Sequence, residues 1–288
     1  MKEKSPDAIF IVDSATAFAG NPLRVDDWNI DVNYFLSHKG FNGPSGLTYM
    51  SINEKAMDFV RNRKTTPRSW YTSVATWKDI WFECENDSRH CKESFPQIIL
   101  HANQAKLDLI EQMGEETYLK KYELASKAVR MGVRKMTDPE DHLLVPGPQC
   151  KNCPGCNAPD PNLTEVGKGR FCSQTDVGLS YPKGSDWRKI KKTLEERYWI
   201  TAPHYGFGDE RTKGREGGGY FYSGNGMRVG LINDRQHYPR NILALITALQ
   251  YSFIEGNIKE VRKGKAIEAT NEVLKEMETE LNWSYYGY

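Results

Sequence analysis

The chain has 288 residues, 39% hydrophobic and 27% charged, with a formal net charge of +1. That length suffices for a substantial core and ordinarily makes one or two domains, and the near-neutral balance removes the electrostatic case for nucleic acid or an anionic membrane surface. The apolar runs are too short to span a bilayer and no signal-peptide core opens the chain, so a soluble, cytoplasmic protein is expected.

In chain order, a first apolar run starts at Ile9 and ends in Asp13. A second, Val32 to Leu36, ends in Ser37-His38-Lys39, and a Gly/Pro-rich turn leads into a third, Leu47 to Ile52. These read as strands. Glu54 to Arg63 carries Ala56, Met57, Phe59 and Val60 on a helix-compatible face, and Pro67 ends the pattern. Trp70 to Trp81 and the longer segment Pro96 to Arg130 read as helices. The Gly-rich stretch ERTKGREGGGYFYSGNGMRVG matches neither a P-loop nor a strand–GxGxxG–helix unit. It reads as a flexible loop, a candidate lid, ahead of a strand at Met227–Ile232.

Asp13 and Lys39 both stand at the carboxyl ends of predicted strands, the edge where open α/β sheets bind ligands. A carboxylate can keep a pyridine nitrogen protonated, and a lysine can form a Schiff base with an aldehyde. These are the two protein groups that pyridoxal 5′-phosphate (PLP) most needs.

VDSATAFAGNPL, DVNYFLSHKGFNGPSGLTYMS, RKTTPRSWY, YPKGSDWRKIKKTL and MRVGLINDRQHYPRNILALITALQ together resemble the class V aminotransferases of PLP fold type I, alanine/serine–glyoxylate aminotransferases in particular. The resemblance implies an α/β fold with two parts. Residues 1–113 would be the C-terminal part of the PLP-binding large domain, a mostly parallel sheet with helices. Residues 114–288 would be a smaller α+β domain, with the boundary near Met113-Gly114. It further implies that Lys39 holds the cofactor, that Asp13 pairs with its ring nitrogen, and that Ala15 lies against the ring. Ser37 and His38 are expected to reach the phosphate, with Thr65 and Ser94 as further candidates. Arg228 occupies the position of the arginine that grips a substrate carboxylate, which a planar guanidinium does bidentately. The implied reaction moves an amino group from a small amino acid to a 2-oxo acid such as glyoxylate or pyruvate.

Cys150, Cys153 and Cys156 form C-x2-C-x2-C, with Cys172 following, in a Pro/Gly/Asn-rich insertion at about 138–172 that the family does not explain. Thiolates gathered by turns select zinc or iron–sulfur clusters. The run resembles ferredoxin-type ligation of a [4Fe–4S] cluster, whereas structural zinc normally takes two separated C-x2-C pairs, so zinc is the second choice. Cys84 and Cys91 read as core thiols, a metal pair, or part of a second site.

Two departures from the family shape the remaining expectations. The large-domain segment carrying the glycine-rich phosphate turn and the ring-stacking aromatic does not precede Asp13, and MKEKSPD reads as a natural polar start. The expectation is a split enzyme: a separate N-terminal-half subunit supplies the first strands and an α2β2 assembly results. His38 before the lysine is what cysteine desulfurases show, which keeps open a PLP-dependent desulfurase or lyase. A scaffold subunit carrying an iron–sulfur cluster is the third reading.

Overall fold

A computed structural model describes residues 4–86, 96–136, 144–145, 174–180, 185–201, 204–205, 226–231, 239–258 and 261–281. The described chain falls into two compact units, Met1–Phe18 with Pro22–Asp108, and Ala19–Asn21 with Leu109–Tyr288.

In the first unit the three apolar runs form strands β1 (Ile11–Asp13), β2 (Val32–Leu36) and β3 (Thr48–Ile52), in the order β1-β2-β3. β1 pairs with β2 in parallel, placing Asp13 opposite Tyr34. β3 runs antiparallel to β2, with Tyr34 opposite Met50 and Leu36 opposite Thr48. The described sheet is therefore mixed. The short turn after Lys39 cannot make the crossover of a dozen or more residues that a parallel return needs. Helix α1 (Glu54–Arg61) starts where Asn53 caps it, its side chain accepting from the Ala56 N–H. The other half of that amide donates to Asp31 Oδ1 at 2.8 Å, tying the cap to the start of β2. The Trp70–Trp81 expectation shifts to α2 (Val74–Asn86).

The expected single helix Pro96–Arg130 is two helices, α3 (Gln97–Met113) and α4 (Glu115–Met136). Gly114 stands between them at φ +80°. Only glycine adopts that left-handed geometry without a Cβ penalty, so it ends α3, and its carbonyl accepts the Tyr118 N–H of α4 at 3.0 Å. The expected domain boundary lies at this break, while the two units divide inside α3 after Asp108.

The second unit holds an antiparallel sheet of β4 (Leu144–Val145), β5 (Asp176–Ser180), β6 (His204–Tyr205) and β7 (Gly226–Gly230), in the order β4-β5-β7-β6. Alternation sends Val177, Leu179, Met227 and Val229 into the core. They meet α4, α6 (Pro239–Glu255) and α7 (Lys263–Glu280), whose Val129, Ile246, Leu249, Phe253 and Met277 join the same cluster. Full burial of each such side chain contributes about 1.5–3 kcal/mol. Helix α5 (Trp187–Lys192) begins at Asp186, whose Oδ1 accepts from the Arg188 and Lys189 N–H groups. It continues as a π-helical turn, Thr193–Arg197. No helix among the described residues is long and apolar enough to cross a membrane.

Candidate active site

Parallel pairing puts the carboxyl ends of β1 and β2 at one edge of the first unit's sheet, and both sequence-predicted groups follow from it. Asp13 ends β1 with its side chain exposed. Its Oδ1 accepts the Ala15 N–H at 2.9 Å, the Asx turn expected where a strand stops at an aspartate. The same carboxylate, by hydrogen bonding, and then burial and the carboxylate's charge hold the Tyr34 phenol above its ordinary pKa of 10.0. Ser14, fully buried, donates from both its N–H and its Oγ to the Tyr34 carbonyl, each at 3.0 Å. Asp13 is thus held by the Ala15 N–H and still faces outward.

Lys39 sits half-buried in the turn after β2. Its N–H donates to the Leu36 carbonyl at 3.4 Å and its carbonyl accepts the Asn42 N–H at 2.7 Å, which fixes the backbone around it. Beneath the turn, Phe35 stacks between Phe18 (3.5 Å) and Tyr49 (5.0 Å), and Phe41 tilts against all three. Alternation along β2 thereby splits the sheet. Asn33 and Phe35 point to the aromatic side, while Val32, Tyr34 and Leu36 share the other face with Asp13 and Ile11.

Ser37 is buried with no exposed surface, and its hydroxyl donates to the carbonyls of Pro44 (2.5 Å) and Leu47 (3.2 Å). Its hydrogen is committed to closing the loop that follows Lys39. His38 is exposed and Ala15 half-buried beside Asp13. Thr65 lies in an exposed stretch past α1, where its hydroxyl accepts from Arg63 at 3.3 Å. Arg228 is in β7 of the second unit, its backbone opposite Gly178. Ser94, Cys91, Cys150, Cys153, Cys156 and Cys172 lie outside the described residues, and Cys84 falls in the last turns of α2. Among the described residues no three His, Cys, Asp or Glu side chains gather as a metal site.

Tyr34 is the site residue that sequence reasoning passed over. Its signal was the register: a parallel β1–β2 pair aligned at Asp13 places it directly opposite. An exposed carboxylate, held by a backbone N–H, on the same edge as a half-buried lysine is a donor set that fits PLP.

This fold and this edge define the class, PLP fold type I. Within it, residues 1–129 match the family model for aminotransferase class-V. The chain is 31% identical over 141 residues to an alanine–glyoxylate aminotransferase of Rattus norvegicus, covering 47% of this chain and 34% of that one. A protein of the same name from Felis catus is 30% identical over 250 residues, 84% of this chain and 50% of that one. The crystal structure of ureidoglycine–glyoxylate aminotransferase from Bacillus subtilis superposes with a TM-score of 0.67 at 20% identity, covering 94% of this chain and 59% of that chain. The chain therefore spans between a third and a half of the length of these curated relatives.

Proposed function

We propose that this chain supplies Lys39 and Asp13 to a PLP-dependent aminotransferase site that moves an amino group from a small amino acid to a 2-oxo acid such as glyoxylate or pyruvate. The observation that carries the reading is the Asp13 carboxylate, held by Ala15 N–H and the Tyr34 phenol on the edge that also bears Lys39. PLP, when bound, supplies an aldehyde to join to an amine and a ring that withdraws electrons from the substrate Cα. Lys39 Nζ is the amine that retains the cofactor between turnovers and, once released, takes the proton from Cα. Asp13 holds the ring nitrogen's proton, and Ala15 limits where the ring can lie. Arg228 takes the substrate carboxylate through its two parallel N–H donors. His38, Thr65 and Ser94 are assigned to the phosphate on the resemblance, and Ser37 to holding the Lys39 loop closed. The names of the relatives support the choice of small amino donor and 2-oxo acceptor. Lys39→Ala should abolish transamination, and a variant that turned over at the normal rate would end this reading.

The proposal includes a partner. A separate polypeptide supplies the phosphate-cradling turn and further strands, giving an α2β2 assembly. Two features of the first unit support it: β1 lies at the end of the described sheet, and Ile11 and Met50 on the Asp13 face are 64% and 51% exposed. Apolar sheet surface of this kind marks an interaction face. Native mass spectrometry after co-expression with neighbouring reading frames checks it; a PLP-loaded, active preparation of this chain alone would contradict it. The spacing of Cys150, Cys153, Cys156 and Cys172 supports a [4Fe–4S] cluster, or zinc, held apart from the catalytic edge. Unchanged metal content in a Cys150/Cys153 double substitution would remove that part.

A further inference from the structure

The loop that closes the Lys39 turn, Phe41 to Leu47, has a neighbour besides the sheet. Helix α3 lays Ile99 and Asn103, one turn apart, against that loop. Gly46 is at φ +121°, and a Cβ there would approach Ile99 Cδ1 to 2.9 Å. A Cβ on Gly43 would collide with Asn103 Oδ1, and would stand 3.0 Å from the Phe41 ring. Both glycines are thus sites of close approach by one helix face. Gly43 in turn donates its N–H to the Ser37 carbonyl at 2.7 Å, two residues before Lys39. Loop and lysine are mechanically joined.

Asn103 is an odd residue for such a place. It is only 1% exposed, and neither its Oδ1 nor its Nδ2 has a hydrogen-bond partner among the described residues. Burying an unpaired amide is unfavourable, and an apolar side chain of similar size would fill the same space without that cost. A buried amide aimed at the backbone of the lysine-bearing loop has a use when the loop shifts and offers it a carbonyl or N–H.

We infer that Asn103 is a positioning residue for Lys39, acting through its contact with Gly43 and reserving its amide for the loop's alternative arrangement. The inference rests on the reading of Lys39 given above. α3 also contributes Leu109, Ile110 and Met113 to the tyrosine cluster of Tyr118 and Tyr122 in the second unit. The same helix therefore serves the lysine loop at one end and the second unit's packing at the other.

The test uses the full chain and reads Lys39 without requiring turnover. Competitive acetic anhydride labelling across pH, quantified by mass spectrometry, gives the reactivity of Lys39 relative to Lys55, whose Nζ is bound to the Pro6 and Ala8 carbonyls. Asn103→Leu should change that ratio by about threefold or more and shift its pH profile, the lower range of coupling between residues in contact. Gly43→Ala should do likewise, and the effects of Gly43→Ala and Asn103→Ala on the Lys39 profile should be non-additive in the double variant, because both act through the same contact. A packing role alone would lower the unfolding temperature and leave the Lys39 profile unmoved. An Asn103→Leu chain with the wild-type profile overturns the inference. Should that variant not fold, additive effects in the Gly43/Asn103 pair overturn it equally. Borohydride trapping of pyridoxal phosphate in the assembled protein, with the proposed partner co-expressed, separates the two levels. If wild type shows no preference for Lys39 the underlying reading fails, whereas equal trapping at Lys39 in wild type and Asn103→Leu counts against Asn103 alone.

Discussion

The two units divide the labour unevenly. The second contains one continuous core in which β5, β7, α4, α6 and α7 bury Leu124, Val129, Ile246, Leu249, Phe253 and Met277 almost completely. The first carries Asp13 and Lys39 of the proposed site, yet among its described residues the fully buried apolar side chains are few, Phe41, Ala56 and Ile80 among them, and Ile11, Met50, Phe59, Trp70, Tyr71 and Ile98 stand exposed. Stability and reactivity are placed in different parts of the polypeptide. The catalytic edge is held not by deep burial but by specific hydrogen bonds: Ser14 to Tyr34, Ala15 to Asp13, Ser37 to Pro44 and Leu47. Such a unit is open to further surface being laid on it, which is what the proposed partner does.

Substitutions can sharpen that contrast. The largest effect should come from Asp13→Asn, which keeps the shape and loses the charge that holds a ring proton. Activity of the assembled protein should fall by about 10²–10³, the scale of losing one preorganised electrostatic group, while thermal stability stays close to wild type. A matching loss of stability would show that the edge is structural after all. The complementary substitution is Leu249→Ala in the second unit, expected to cost about 2–5 kcal/mol in denaturant unfolding. Met50→Ala, on the exposed sheet face, should lie within about 0.5 kcal/mol of wild type when this chain is unfolded alone. Equal costs at the two positions would break the comparison.

The smallest effect is in alkaline solution. Because Asp13 holds the Tyr34 phenol above its ordinary value of 10.0, the protonated phenol is favoured by folding. Its contribution to stability is fully present below that ordinary value and is lost as pH rises through the raised one. Tyr34→Phe should therefore remove a component of the alkaline decline in unfolding temperature. Asp13→Asn should return the Tyr34 absorbance titration toward its ordinary midpoint. A titration unchanged by Asp13→Asn would mean that the phenol and the carboxylate do not interact.

The strands that carry Asp13 and Lys39 were legible because each is an apolar run stopped by turn-forming residues, and strand ends are what such runs report best. Strand direction was not legible: nothing in the composition of Thr48–Ile52 says that it returns antiparallel, and only the length of the connection does. The break at Gly114 was hidden because helical periodicity resumes directly after it, and glycine within a helix is tolerated often enough to be passed over. Tyr34 needed the β1–β2 register, and register is a property of two strands together. Asn103 was the least visible. A lone asparagine in the middle of an amphipathic helix reads as solvent-facing, and only the approach of Gly43 from a distant loop places it inside.

The account rests most on the selectivity of Lys39. This chain in the assembled protein, with its proposed partner co-expressed, incubated with pyridoxal phosphate, reduced with borohydride and digested, should yield the cofactor adduct on the peptide that contains Lys39, well above its level at Lys55, with Lys39→Ala removing it. An adduct concentrated on another lysine, or spread evenly with no preference for Lys39, would contradict the account.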